Sequence, residues 1–370
     1  MSRHNTLYNV IATSRPFKGL TFAEAALRLR GGIILGLLAA GLISSAAGQQ
    51  ANTAAPDIAS LPVTGGFDTA TSLKAHPGWV QIPGALIRPD CVHEIPNGAD
   101  VVISDNKITG DVTLGGVLVA HYDPCPEAPV ITRPHEGSSQ TVIGAPGTGN
   151  GWVEALKYQV PLSSGDNIDY LYGTWTVPTN PSANGGLLYL FNGVVSSDKN
   201  WILQPVLQWG SYDGFGGNYW VIASWLVGNN GYVFHSPAAN VSPGHTIGGY
   251  TWVTSASGGT LHWEVYAYDQ TSGAYSWITA HSTGLQWNWA YAGVLEADGI
   301  TSCSEFPPAP AGYTTNGTWF QNSALYTGYP NYTPTPAYWY GAWGNYYGWS
   351  GPYCGFSATP NSGGGLLTYY

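Results

Sequence analysis

One carboxylate and two amides stand out as groups able to do chemistry without a metal. In the run Trp201 to Gly210, WILQPVLQWG, alternation puts Gln204 and Gln208 on one strand face with Ile202 and Val206, opposite Trp201, Leu203, Leu207 and Trp209. Amides among apolar neighbours are costly to bury unpaired, so they are expected to line a cleft or join a hydrogen-bond network. In the run Tyr291 to Ile300, YAGVLEADGI, alternation places Glu296 with Ala290, Ala292 and Val294, small neighbours that leave room above the carboxylate. Desolvation there would raise its pKa and fit it for general acid–base work in acid. The alternative role is a structural acceptor for backbone or hydroxyl donors. Trp209, Trp220 and Trp225 are the rings expected to shape the cleft, with Gln208 and Glu264 as further substrate contacts.

Other reaction centres lack their signatures. There is no GxSxG elbow, no HExxH and no CxxC, so no metal and no organic cofactor is expected. Gly147, Gly149 and Gly151 are not followed by the lysine of a phosphate loop and read as an ordinary loop.

Charge narrows the partners. From Trp201 to Tyr370 there is no lysine and no arginine, while thirteen of the sixteen tryptophans fall there. Such a surface builds no cationic field for phosphate backbones or anionic lipids, so neither nucleic acid nor membrane is an expected partner of the mature chain. Uncharged polymers, polypeptide or polysaccharide, fit it. Few ion pairs are available for low pH to break, which favours acid tolerance. The protein is expected to be a monomer.

The elements that would position these groups are strands. Gly 50, Pro 26 and only 9% charged residues argue against long exposed helices. Strand-like runs recur from Trp152: Trp152–Val160, Ile168–Pro178, Gly186–Val195, Trp201–Gly210, Tyr219–Gly228, Tyr232–Val241, Thr246–Ala256, Leu261–Tyr268, Tyr275–Ser282 and Ala290–Asp298. The breaks at Asn229-Asn230-Gly231, Ser257-Gly258-Gly259 and Asp269 to Gly273 carry hairpin chemistry. The class is therefore all-β, an antiparallel two-sheet sandwich. Pro205 cannot donate to a ladder, which places its strand at an edge or a bulge.

Residues 1–48 read as a signal peptide or signal anchor, with Gly31 to Ala47 as its apolar region. Its removal would leave 6 basic against 20 acidic residues. Residues 49–75 read as a linker or pro-segment and 76–150 as a small disulfide-linked β module. The sandwich follows over 151–306, then a Tyr/Trp/Gly/Pro-rich extension over 307–370. Its rings would wrap the sandwich or make a stacking platform for sugars. Four cysteines in an exported chain imply two disulfides; the simplest pairing joins Cys91 to Cys125 and Cys303 to Cys354, and two others are open. Sequons at Asn240, Asn316 and Asn331 fit a secreted glycoprotein, free or associated with a cell wall.

Four runs in order carry a resemblance: Tyr172-Gly173-Thr174-Trp175-Thr176-Val177-Pro178, Ile202-Leu203-Gln204, Val241-Ser242-Pro243-Gly244 and Val294-Leu295-Glu296. Over roughly residues 150–306 the chain resembles the glutamic peptidases, or eqolisins. The resemblance implies a concanavalin A-like sandwich and a secreted acid protease in which a glutamine and a glutamate activate water. Gln204 matches the family's catalytic glutamine. The family strand reads approximately A-E-W-I-V-E-D with the first glutamate catalytic, and an ungapped match sets Ala292 at that place. Glu296 takes the role only with a four-residue shift. Folds of this kind also host lectins and glucanases, so a glycan-binding module and a glucanase pairing Glu264 with Glu296 stand as the alternatives.

Overall fold

A computed structural model describes residues 74–104, 107–132, 149–182, 186–308, 317–334, 340–342, 354, 357–361 and 364–368. The segment read as a signal sequence lies outside them, as do residues 49–73 and the sequon at Asn316.

The chain is all-β. Its N-terminal part gives β1 (Val80–Ile82), β2 (Ala85–Ile87), β3 (Val92–Glu94), β4 (Asp100–Ser104), β5 (Lys107–Leu114), β6 (Val117–His121) and β7 (Val130–Ile131). The central part gives β8 (Gly149–Gln159), β9 (Ile168–Thr176), β10 (Leu187–Ser196), β11 (Trp201–Tyr212), β12 (Phe215–Gly228), β13 (Val233–His235), β14 (Ala239–Val241), β15 (Thr246–Ser257), β16 (Thr260–Asp269), β17 (Tyr275–Thr283) and β18 (Trp287–Ile300). Then come β19 (Gly317–Thr327), β20 (Thr333–Pro334), β21 (Tyr340–Ala342), β22 (Ser357–Asn361) and β23 (Gly364–Thr368).

Among the described residues these strands make three layers. A front sheet runs β21-β8-β18-β10-β11-β12-β13-β3, with β14 on β12; a back sheet runs β22-β23-β19-β9-β15-β16-β17-β4-β5-β6, with β20 on β19; and β1-β2-β7 form a small third sheet. Between front and back lies the main core, where Leu203, Leu207, Trp209 and Trp220 of the front meet Trp175, Val253, Trp263 and Val265 of the back. Burial of side chains this size contributes about 1.5–3 kcal/mol each. A second apolar cluster lies on the outer face of the front sheet, where Ile82, Ala85 and Ile87 of the small sheet pack with Phe191, Val206, Trp225, Tyr291 and Val294.

The hairpins form where turn chemistry demands. Gly258 and Gly259, at φ 60° and 81°, join β15 to β16 in the left-handed region that right-twisted two-residue turns require. The run Tyr232–Val241 is two strands, β13 and β14, because Ser236 and Pro237 interrupt it.

Residues 76–150 are not a separate module. β3 pairs in parallel with β13 of the front sheet and β4 in parallel with β17 of the back sheet, so the segment joins both layers while β1, β2 and β7 cover the front. The C-terminal extension likewise lays β19 against β9. Cys91 bonds to Cys125 and Cys303 to Cys354.

Pro205 sits on a central strand, between β10 and β12. Its missing N–H falls where the β10–β11 ladder is interrupted, between the Phe191–Val206 and Val194–Leu203 pairs, beside an irregularity at Phe191 and Gly193. The register of β10 on β11 is the same on both sides of that gap and Pro205 pairs regularly with Ser224 of β12, so the strand is neither an edge nor bulged at the proline; the gap in the ladder accommodates the missing donor.

Candidate active site

The parity of β11 holds as the sequence implies: Gln204 and Gln208 alternate with Leu203, Leu207 and Trp209, which fill the main core, and so face outward with Ile202 and Val206. On β18 the parity changes partway. Ala290 and Ala292 belong to the main core, whereas Tyr291 and Val294 belong to the outer cluster. Gly293, at φ 60°, lies between them within register shifts against both neighbouring strands. Such a bulge inserts one residue and turns the strand over. Glu296 therefore shares the outer face with Val294 and not with Ala290 and Ala292, and the room expected above it is filled.

Glu296 and Gln204 lie on the same face, and both are fully buried. What buries them is the β1–β2 hairpin. The Glu296 carboxylate accepts hydrogen bonds from the Gly84 N–H at 2.7 Å, from Thr132 Oγ1 at 3.0 Å and from Gln81 Nε2. Gln204 Nε2 donates to the Pro83 carbonyl at 2.8 Å, and its Oε1 has no hydrogen-bond partner among the described residues. Pro83 and Gly84 form the tip of the hairpin, with Gly84 at φ 86°, the position where a tight Pro-Gly turn needs glycine. The Pro83 carbonyl and the Gly84 N–H belong to one peptide group. Gln204 and Glu296 thus grip that group from its two ends.

Tyr189 stands between Glu296 and Gln208 in the register and donates its hydroxyl to the Gln81 carbonyl at 2.9 Å, fastening β1. Burial, then the neighbouring Tyr212, Glu296 and Asp298, pushes its phenol well up, so it stays a neutral donor. Gln81, Gly84, Thr132 and Tyr189 carry no motif of their own; the only signal available was the Pro83-Gly84 turn inside the apolar run Val80 to Ile87.

Other residues expected at the site are elsewhere. Trp209 and Trp220 pack against each other at 5.4 Å inside the main core and shape no cleft; their alternation opposite Gln204 and Gln208 requires this. Trp225 is on the outer face but sealed beneath Tyr212, Phe215 and His235. Gln208 spends its amide on the Gly210 and Phe215 carbonyls, closing the β11–β12 hairpin. Glu264 alternates with Trp263 and Val265 of the main core and so points from the back sheet, away from Glu296. Two stacked sheets, about 10 Å apart, separate the carboxylates, which removes the glucanase pair. Asn240 and Asn331 are exposed. Among the described residues no cluster of His, Cys, Asp and Glu could hold a metal ion.

Two further acids are perturbed. Glu154, beside Leu295 in the ladder, is buried with neither oxygen hydrogen-bonded, and burial drives its pKa well up. Burial raises Asp298 to about 6, against a smaller opposing hydrogen bond from the Gly299 backbone.

No protein-family model matches the chain, and no curated protein matches it. Among solved structures, two of Scytalido-glutamic peptidase, one with a transition-state analogue inhibitor and one with a peptide-based analogue, are similar at 12% identity and a TM-score of 0.37, over 60% of this chain and 98% of theirs. SCP-B, a member of the Eqolisin family of peptidases in complex with the tripeptide Ala-Ile-His, is similar at 14% identity and a TM-score of 0.36 over the same shares. Likeness at this level decides nothing about activity, which rests on the side chains themselves.

Proposed function

We propose that the chain is a peptide-bond hydrolase of the glutamic type, secreted and working in acid, whose cleft is filled by its own N-terminal hairpin in the form described. The observation that carries this reading is the grip of Gln204 and Glu296 on the single Pro83–Gly84 peptide group. A substrate peptide held with its carbonyl on Gln204 Nε2 would have its developing oxyanion stabilised by that N–H. A water in the place of the Gly84 N–H would lie against Glu296, which takes its proton as the water oxygen attacks the carbonyl carbon. The protonated carboxyl then gives the proton to the departing amine nitrogen, leaving a free acid, a free amine and the original carboxylate. The hairpin survives because its own N–H occupies the carboxylate that would activate water. No metal or organic cofactor enters the scheme, polypeptide is the substrate class, and the two disulfides suit an oxidising compartment.

The test replaces Arg88–Asp90 with the recognition site of a specific protease, between the hairpin and Cys91. Cleavage frees the hairpin, and the remainder from Cys91 onward stays one covalent chain. Hydrolysis of a denatured protein near pH 3 is expected only after cleavage. Glu296→Gln should lower it by roughly 10²–10⁴-fold, and Gln204→Ala by about 10²–10³-fold. Equal activity of Glu296→Gln and the parent, both unplugged, rejects the assignment.

A further inference from the structure

The outer face of the back sheet carries a row of rings that the cleft does not use. Register places Tyr172, Tyr250, Tyr266 and Trp277 opposite one another on the adjacent strands β9, β15, β16 and β17. All four are half-buried. Ring centroids are 4.5 Å apart for Tyr172 and Tyr250, and 6.1 Å for Tyr250 and Tyr266. Trp252 packs within the row, 5.7 Å from Tyr250 and 6.3 Å from Tyr266. With strands about 4.8 Å apart, the row is roughly 14 Å across.

At its side stands Glu264, opposite Trp252 and Thr279 in the ladders. Its carboxyl makes no hydrogen bond to other described residues, although the rings around it leave it half-buried. Burial raises its pKa. An acceptor so placed, without a protein donor, is served by a donor arriving from outside.

We propose that this face is a binding platform for a neutral polysaccharide, with pyranose rings stacking on Tyr172, Tyr250, Tyr266 and Trp277 and a sugar hydroxyl donating to Glu264. Sugar C–H faces match the electron-rich faces of aromatic rings, and phenol and indole groups supply hydrogen bonds at the rim. The four strands bearing the row contain no lysine or arginine. An anionic polymer thus finds no counter-charge there. The platform and the Glu296 cleft lie on opposite outer faces of the sandwich, so a chain held on a wall polymer would keep its cleft clear of it.

The experiment sediments the full chain with microcrystalline cellulose, insoluble β-1,3-glucan, chitin or alginate. Co-sedimentation with at least one of the three neutral polymers and not with alginate is expected. Tyr266→Ala, checked for folding by circular dichroism, should weaken binding by about tenfold, and Glu264→Ala should weaken it in the same direction. Glu296→Gln should leave it unchanged, which separates this site from the proposed hydrolase. The proposal is overturned if the parent stays in solution with all three neutral polymers or Tyr266→Ala and Glu264→Ala both bind as the parent does. Concentration-dependent self-association abolished by Tyr266→Ala, with no polysaccharide bound, would also overturn it and make the face a contact between copies.

Discussion

Glu296 and Gln204 sit one peptide group apart, the carboxylate on the Gly84 N–H and the amide on the Pro83 carbonyl. This contact matters for stability independently of the proposed chemistry. Truncating Glu296 to Ala leaves buried donors from Gly84, Thr132 and Gln81 to find other acceptors. We expect a loss of about 2–5 kcal/mol in urea unfolding, with Glu296→Gln milder because its amide oxygen still accepts. An unchanged unfolding midpoint for Glu296→Ala would show that the hairpin does not depend on this carboxylate.

Asp298 and Glu154 each contribute stability that grows as the protein is acidified from neutrality, while His235, its pKa lowered by burial to about 4, contributes the opposite over the same range. The folded pKa values of the two acids are raised by burial, Asp298 to about 6, so the folded state binds protons that the unfolded state releases until about pH 4. Relative to the parent, Asp298→Asn and Glu154→Gln should each lose their advantage as pH falls from 7 towards 4, with the benefit of Glu154→Gln greatest at pH 7. Midpoint temperatures of both variants that run parallel to the parent's between pH 7 and 4.5 contradict this.

Asp269 works in the other direction, at lower pH. Burial pushes its pKa up, but hydrogen bonds from Ser272, His245 and the Thr271 and Ser272 amides outweigh it, leaving the carboxyl below its ordinary value. A lowered folded pKa contributes stability above about pH 4 that is lost as pH falls through the folded value. Asp269→Asn should cost about 1–3 kcal/mol at pH 7, with the deficit closing below pH 3. A deficit constant with pH would assign the effect to packing.

Cys303 and Cys354 are 51 residues apart in sequence. Replacing both with Ser should cost about 4 kcal/mol from loop-closure entropy, measured by thermal unfolding of the full chain. The C-terminal strands should loosen first, seen as faster amide exchange across β22 and β23.

Much of this architecture is legible in the residues. Alternation in WILQPVLQWG fixes which side Gln204 faces, and Ser257-Gly258-Gly259 announces its hairpin, because both signals are local. The side Glu296 faces is misread because one left-handed glycine, Gly293, resets the count; a lone glycine inside a strand is itself a bulge signal, and straight alternation passes over it. The cover over the pair is hidden for another reason: Gln81 and Glu296 are 215 residues apart, and nothing in Val80 to Ile87 says which surface its apolar side will meet. The distribution of residues 76–150 over three sheets escapes for the same cause, since parallel pairing of β3 and β4 is set by distant strands.

That parallel pairing governs the order of assembly during synthesis. β3 awaits Val233–His235 and β4 awaits Tyr275–Thr283 as parallel partners, so although β1 pairs with β2 and β4 with β5 locally, this region joins the two main sheets only after more than 130 further residues have left the ribosome. Its local hairpins travel undocked and close over the front sheet only once the strands of that sheet exist. The hairpin that covers Glu296 is therefore translated before the strands it covers, and an interrupted chain ending before Thr283 would expose its apolar edges to aggregation.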